Sequence, residues 1–287
     1  MSVRTVLDAK NTLGEGPIWH QGRLFWCDIK GFTLNAVDAD GGNHQSWDMG
    51  EHISAAAPLA DGNLLVASET KLLRFDPATG QSSDVIGLEA DNSVTRSNDG
   101  RADRRGGFWI GTMGKNGELS AGTIYRYFRG ELRVLYETIS TPNAMCFSPD
   151  GGTAYVADSK TRHIMRQPLD ADGWPDGERQ PFFQLDRGNA VPDGAVVDSE
   201  GHLWCALYRG SVVIRISPAG EIVQEVSLPA TQLTCPAFGG PDLKTVFVTS
   251  ARQGLDEAAL AERPLAGAVF AFEIETPGLP DQVVELG

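Results

Sequence analysis

Polar side chains recur at one position of a repeated strand–turn–strand pattern. An oxygen-bearing residue precedes an apolar run, and a turn glycine follows seven or eight residues later, as Gly151 follows Asn143. The residues at this position are Glu15, Ser54, Asn98, Asn143 and Asp193, and Thr234 begins a weaker sixth copy that lacks a glycine at this spacing. Carboxylate and amide oxygens, without histidine or thiolate, suit a hard divalent cation. The pattern predicts a metal site whose ligands are Glu15, Asn98, Asn143 and Asp193.

The repeat also predicts the fold. Turn glycines stand at positions 22, 62, 106, 151 and 201, a spacing close to the length of one propeller blade. A third strand and a shorter outer segment follow each hairpin, which gives about four strands per repeat. We therefore predict an all-β, six-bladed β-propeller with about four antiparallel strands per blade, in one domain over residues 1–287. An N-terminal strand at residues 3–8 would close the last blade, whereas two β-sandwiches are the disfavoured alternative.

A propeller would bring the repeated polar position to one place. The first strand of each blade lines the central channel, so residues at its entrance converge at one mouth. Two other interpretations stay open. N-D-G at 98–100 and P-D-G at 192–194 are typical turn tripeptides, although the hairpin glycine lies eight residues further on. Polar residues that line a ring can also simply hydrate a channel.

Basic residues follow the second strand of several repeats and would return to the same mouth, because that strand runs antiparallel to the first. This set is Lys30, Lys115, Lys160, Arg162, Arg209 and Arg252, together with Tyr208 and with Arg96 beside the first strand. Such a rim could attract an anionic substrate or hydrogen-bond to sugar hydroxyls and a developing oxyanion. Solvated loop charges are the alternative. The predicted substrate-binding residues are Arg96, Asn98, Lys115, Lys160, Tyr208 and Arg209.

Composition and charge narrow the class of protein. The 287 residues are 41% hydrophobic and carry a formal net charge of −14. So acidic a chain lacks the basic footprint that nucleic acid or an anionic membrane requires. The N-terminus has no apolar signal segment, and no run is long enough to span a bilayer. We expect a cytoplasmic protein without nucleic-acid or membrane partners, either a monomer or a small homo-oligomer.

Four motifs, in this order, resemble the SMP-30/gluconolactonase/regucalcin family. They are L-G-E-G-P at 13–17, R-S-N-D-G-R at 96–101, P-N-A-M-C-F-S-P-D-G at 142–151 and V-P-D-G-A-V-V-D-S-E-G at 191–201. Two further stretches are similar to the family, F-W-I-G-T-M at 108–113 and T-C-P-A-F-G-G at 234–240. The resemblance covers nearly the whole chain.

The resemblance implies a six-bladed propeller that hydrolyses sugar lactones with one divalent metal at the channel mouth. Glu15, Asn143 and Asp193 match the family's metal ligands. Asn98 matches its substrate-contacting or fourth-ligand asparagine, and Arg96 its substrate-binding arginine. Asp193 is also the family's proposed general base. Calcium is the first candidate for the metal, and zinc, manganese or magnesium are the others.

We therefore expect metal-dependent hydrolysis of a sugar lactone to the aldonic acid. In this hypothesis the metal is a Lewis acid, Arg96 stabilises the oxyanion, and Asp193 takes a proton from the attacking water. Ser97 stands where animal members of the family commonly have phenylalanine, which leaves the identity of the sugar open. The cationic rim suggests an acidic sugar lactone.

Two other functions remain open on the same scaffold. One is an organophosphate or aryl-ester hydrolase, which a dry aromatic pocket would favour. The other is a non-enzymatic calcium-binding regulatory protein, which metal binding without turnover would favour. The chain has neither a G-x-S-x-G elbow nor an H-E-x-x-H motif, so nothing in the sequence indicates serine-hydrolase or zinc-protease chemistry.

Overall fold

Six four-stranded antiparallel sheets make up the computed structural model, which describes residues 2–287. The first strand of the chain is β1 (Val3–Leu7). Blade 1 contains β2 (Gly14–His20), β3 (Arg23–Asp28), β4 (Thr33–Asp38) and β5 (Gln45–Asp48). Blade 2 contains β6 (Ile53–Pro58), β7 (Leu64–Ser68), β8 (Lys71–Asp76) and β9 (Gln81–Gly87). Blade 3 contains β10 (Thr95–Ala102), β11 (Phe108–Gly114), β12 (Gly122–Phe128) and β13 (Glu131–Ile139).

The second half of the chain repeats this order. Blade 4 contains β14 (Pro142–Phe147), β15 (Thr153–Asp158), β16 (His163–Pro168) and β17 (Gln180–Gln184). Blade 5 contains β18 (Val191–Val197), β19 (Leu203–Tyr208), β20 (Val212–Ile216) and β21 (Ile222–Ser227). Blade 6 contains β22 (Leu233–Gly239), β23 (Thr245–Ser250) and β24 (Val269–Glu273), and β1 is its fourth strand. The predicted six-bladed propeller is confirmed.

The innermost strands close into a ring. Each of β2, β6, β10, β14, β18 and β22 contacts the next one, and β22 returns to β2. The ring is sealed in blade 6, where β1 pairs antiparallel with β24 and places Val3 opposite Phe272. The prediction that the N-terminal strand closes the last blade is therefore confirmed.

Large side chains of the second strands fill the spaces between blades. Trp26, Trp109 and Trp204 are fully buried there, and Trp204 belongs to the apolar cluster that joins blades 5 and 6. The alternation of strand residues supplies these layers, because successive side chains point to opposite faces of a sheet. The four cysteines are buried and free.

Every innermost strand is irregular near the position that the sequence pattern singled out. The pairing of β2 with β3 shifts between Glu15 and Ile18, and that of β14 with β15 between Asn143 and Cys146; the other four inner pairs shift likewise. Such bulges re-aim side chains and occur beside active sites. In blade 1 the shift needs Gly16, whose φ is +56° and where a Cβ would lie 2.4 Å from the carbonyl oxygen of Ser54.

Residues 275–287 cross the end of the channel where the hairpin turns lie. Asp281 accepts a hydrogen bond from the backbone N–H of Trp19 (2.9 Å) and pairs with Arg101 (3.1 Å). The N–H groups of Val284 and Glu285 bond to Pro58 (2.9 Å) and Gly106 (2.8 Å). This end of the channel is thus covered by the chain itself.

One short helix interrupts the strands. It is α1 (Glu257–Glu262), and Asp256 caps it by accepting a bond from Ala259 N–H (2.9 Å). Within residues 2–287, no helix has both the length and the apolar character that a membrane crossing requires.

Candidate active site

One cavity at the open end of the channel collects the predicted site residues. Glu15, Arg96, Asn98, Asn143 and Asp193 all line it, and its volume is about 640 Å³. A cavity of that size is typical of small-molecule sites. Blades 1, 3, 4 and 5 supply these residues from their innermost strands.

Two of the six repeated positions do not reach the cavity. Ser54 is buried and donates its hydroxyl to Ser97 Oγ (2.8 Å). Thr234 is also buried, and its hydroxyl bonds to the carbonyl oxygen of Gly14. Their short side chains form hydrogen bonds inside the wall of the channel. The first strands of blades 2 and 6 therefore add no ligand to the site.

The two asparagine amides are held in a definite orientation. Asn98 Nδ2 donates to Pro142 O (2.9 Å) and to Asn143 Oδ1 (3.1 Å), and Asn143 Nδ2 donates to Ser159 Oγ (2.9 Å). Asn98 Oδ1 accepts one bond from Arg96 Nη1 (2.9 Å). Because a carbonyl oxygen has two lone pairs, each Oδ1 keeps one for a cation or substrate.

Two carboxyl groups complete the set of oxygen donors. Glu15 and Asp193 are both 6% exposed and lie within hydrogen-bonding reach of each other. Burial, followed by the charge of Asp99, raises the pKa of Glu15 to about 8. Burial, followed by the charge of Glu15, also raises the pKa of Asp193 well above its ordinary value. Two carboxylates so close together need a counter-charge to be ionised at neutral pH.

These four residues fit a hard divalent cation. Two carboxylates balance its charge, and two amide oxygens add neutral ligands of the kind calcium and magnesium prefer. Within residues 2–287, no group of three or more His, Cys, Asp or Glu side chains is arranged so that it could hold a metal ion. The candidate site belongs to a different type, because half of its donors are amides.

Arg96 is a buried cation beside these carboxyl and amide groups. It is 4% exposed, and its Nη1 donates to Ser97 O (2.6 Å) as well as to Asn98. Its buried Nε has no hydrogen-bond partner among residues 2–287. Burial lowers the pKa of Arg96 to about 10, while Glu15 and Asp193 act in the opposite direction. The guanidinium therefore stays charged and has a donor to spare.

Most of the predicted basic rim lines the same cavity. Its members there are Lys30, Lys115, Lys160, Arg162 and Arg209, together with Tyr208. Burial raises the pKa of Tyr208 to about 12, and its hydroxyl donates to Gln253 O (3.2 Å). Arg252 does not line the cavity, although it follows β23 as Arg209 follows β19.

Sequence reasoning missed two supporting residues. Ser159 is buried between the amide of Asn143 and the carbonyl of Pro192, to which it donates (2.6 Å). Glu69 accepts from Lys115 Nζ (3.1 Å) and also contacts His52 Nδ1. Both follow the second strand of a blade, as the basic rim residues do. That shared position is the signal that could have identified them.

Residues 13–252 match the profile described as SMP-30/Gluconolactonase/LRE-like region. The chain belongs to this family. The resemblance predicted from the four motifs is confirmed.

Relatives of this family member match along nearly their whole length. An L-arabinolactonase of Azospirillum brasilense is 35% identical over 283 residues, covering 95% of this chain and 92% of the relative. A 6-deoxy-6-sulfogluconolactonase of Pseudomonas putida is 33% identical over 282 residues, covering 96% of each. The crystal structure of a calcium-binding protein, regucalcin, from Agrobacterium tumefaciens has a TM-score of 0.96 and 37% identity, covering 99% of this chain and 97% of that one.

Proposed function

We propose that this protein hydrolyses a sugar lactone to the corresponding aldonic acid and uses one divalent metal ion. The observation that carries this proposal is the convergence of two buried carboxyl groups, two oriented amides and Arg96 in one polar cavity. Relatives along the whole chain are named as lactonases of arabinose and sulfogluconate lactones, which supports the same reaction class.

Glu15, Asn98, Asn143 and Asp193 would hold the metal. Their all-oxygen chemistry makes calcium the first choice, with zinc, manganese or magnesium as alternatives. A similar structure is described as a calcium-binding protein, which supports this order. When bound, such an ion supplies Lewis-acid polarisation of a carbonyl oxygen.

Asp193 and Arg96 would carry the proton transfer and the charge stabilisation. Hydrolysis begins when water attacks the lactone carbonyl carbon, and Asp193, once ionised, accepts the proton that this water loses. Arg96 donates to the oxygen on which negative charge develops, a contribution of about 3 kcal/mol for a well-placed donor. Collapse of the tetrahedral species breaks the ring C–O bond, and the proton held by Asp193 passes to the departing ring oxygen, which leaves a carboxylic acid and a hydroxyl and restores the ionised Asp193.

The polar lining of the cavity favours a sugar lactonase over an organophosphate or aryl-ester hydrolase. Tyr208 is the one aromatic residue among the cavity's lining residues, whereas lysine, arginine, asparagine and carboxylate side chains make up most of the rest. Such a surface matches the hydroxyl groups of a sugar better than an aryl ring. A non-enzymatic calcium-binding role is distinguished by experiment, because it requires metal binding without turnover.

The test is hydrolysis of a panel of aldonolactones by metal-stripped protein, before and after calcium, magnesium, manganese or zinc is added back. We expect turnover that depends on the metal and is lost in Asp193→Asn. Stoichiometric metal binding without turnover of any lactone would overturn the proposal and favour a binding protein.

A further inference from the structure

Three cations on one side of the cavity have no anionic partner. Lys160 and Arg162 lie between β15 and β16 of blade 4, and Arg209 lies between β19 and β20 of the adjacent blade 5. Within residues 2–287, none of these three side chains forms an ion pair or a hydrogen bond; Arg209 contacts only the ring of Tyr208, 5.8 Å from its centroid. The loops therefore present an arc of positive charge to the cavity.

Nearby carboxylates are used elsewhere. Asp158, at the start of the blade 4 loop, accepts the backbone N–H groups of Ser140 (2.9 Å), Thr141 (3.1 Å) and Lys160 (3.1 Å). In blade 3, next to blade 4, Lys115 is paired with Glu69 of blade 2 (3.1 Å). Among residues 2–287, Lys30 of blade 1 likewise forms no ion pair, so what sets Lys160, Arg162 and Arg209 apart is that they lie together in the loops of two adjacent blades.

The positive charge at the cavity contrasts with the negative net charge of the whole protein. The chain carries a formal net charge of −14, yet the cavity lining contains six lysine and arginine residues and only two carboxylates. Those two carboxylates would balance the metal, so they leave the arc unneutralised. Arg162 and Arg209 also hold left-handed backbone angles (φ 61° and 65°), where glycine or asparagine would be less strained. The backbone conformation does not explain why arginine stands at these positions.

We propose that Lys160, Arg162 and Arg209 form a subsite for an oxyanion carried by the lactone substrate at a distance from its reacting carbonyl. Arginine suits this task, because its planar fork donates two parallel hydrogen bonds to a carboxylate, sulfonate or phosphate. The subsite rests on the proposed lactonase function and specifies its substrate class as an acidic sugar lactone. A carboxylate, a sulfonate and a phosphate on the sugar chain would all present such an oxyanion.

Turnover of two matched lactones tests the subsite. The probes are glucono-δ-lactone, which is neutral, and 6-phosphogluconolactone, which differs by one phosphate. We expect a higher kcat/KM for the phosphorylated lactone, and a fall in the ratio of the two values of about tenfold in either Arg162→Gln or Arg209→Gln, since each change removes a charge-assisted hydrogen bond. The double variant should lose the preference.

Arg252→Gln is the matched control. It removes the same charge from the corresponding place in blade 6, outside the cavity lining, and should leave the ratio as in the unmodified protein. An equal fall in this control would show general electrostatic attraction and overturn the subsite. Hydrolysis of both lactones with an unchanged ratio in the double variant would also overturn it, while the proposed function would stand.

Binding measurements decide the subsite even if no lactone is turned over. Calorimetric titration with 6-phosphogluconate and with gluconate compares the same pair of groups without requiring catalysis. We expect tighter binding of 6-phosphogluconate, and loss of that difference in the double variant. Equal affinities in the unmodified protein would refute the subsite, whereas absence of hydrolysis alone would refute only the proposed function.

Discussion

Asn98 donates a hydrogen bond from its Nδ2 atom to Oδ1 of Asn143 (3.1 Å), across the boundary between blades 3 and 4. Each amide is therefore oriented by the neighbouring blade. The chain of contacts continues through Ser159 to Pro192 in blade 5, so three blades determine where the amide oxygens lie. The donor set of the candidate metal site depends on how the blades pack against one another.

Ser159→Ala should weaken the metal site without removing a ligand. The change takes away the acceptor that holds Asn143 Nδ2, so the amide can rotate, and we expect a loss of metal affinity of about tenfold or more. Calorimetric titration with calcium measures it. Ser250→Ala, which removes another buried hydroxyl bonded to a backbone carbonyl (2.6 Å), is the control and should bind calcium normally. Equal affinities in both variants would contradict the positioning role.

Replacing each of the two carboxylates by its amide, in separate variants, should distinguish their roles. Asp193→Asn should lower kcat by about a hundredfold or more, because the general base is lost, and should reduce metal affinity less than activity. Glu15→Gln should weaken metal binding and turnover together. Parallel titrations and kinetics at saturating metal measure both. Small and equal effects of the two changes would refute the assignment.

Arg96→Lys keeps the positive charge but loses the guanidinium fork. Lysine cannot reproduce the bonds to Ser97 and Asn98 and still reach the substrate, so we expect kcat to fall by about a hundredfold. Steady-state kinetics on the best lactone of the panel would measure this. A change in KM alone would mean that Arg96 binds the substrate without stabilising its transition state.

Asp103→Asn should destabilise the fold. Asp103 and Arg126 are buried to 1% and 0% side-chain exposure, with Oδ2 and Nε 2.6 Å apart. Leaving the charge of Arg126 unpaired should reduce the free energy of unfolding by about 3 to 5 kcal/mol. Urea denaturation measures the loss, and Glu131→Gln, at an exposed pair in the same blade, should change little. Equal stabilities would show that Arg126 finds other partners.

His52 should make the protein less stable in mildly acidic solution. Burial lowers the pKa of its imidazole from 6.5, with Lys30 and Arg96 acting in the same direction and Glu69 against it. A folded-state pKa below the unfolded value means that protonation favours unfolding, so this stability is present above about pH 6.5 and is lost as the pH falls. His52→Gln should flatten the dependence of unfolding free energy on pH between about 7 and about 5. Identical slopes in denaturation series would contradict this.

Most of the fold could be predicted from the sequence because turn glycines and strand alternation recur in every blade. The shift of register beside Glu15 and Asn143 could not, since alternation alone does not reveal where one strand holds an extra residue. The same limit applies to Ser54 and Thr234. Their type matched the pattern, but only the packing shows that their hydroxyls are consumed within the channel wall.

The rim was predicted less completely than the centre. The sequence pattern indicated Lys115 but not Glu69, whose role depends on this lysine of a neighbouring blade, 46 residues away in the chain. Arg252 stands at the expected place in blade 6, yet it does not line the cavity. Loop positions repeat along the chain, whereas the direction of a long side chain depends on its local partners.

The pairing of β1 with β24 has a consequence for biosynthesis. Blades 1 to 5 each consist of one continuous chain segment, so they can assemble in order as the chain leaves the ribosome. Blade 6 needs Val3 and Phe272 together, and it cannot be completed before β24 has been made. Until then β1 has no partner strand, and the outer edge of β23 is unpaired. The nascent protein must therefore remain protected from aggregation, with unpaired strand edges exposed, until translation of the ring is nearly finished.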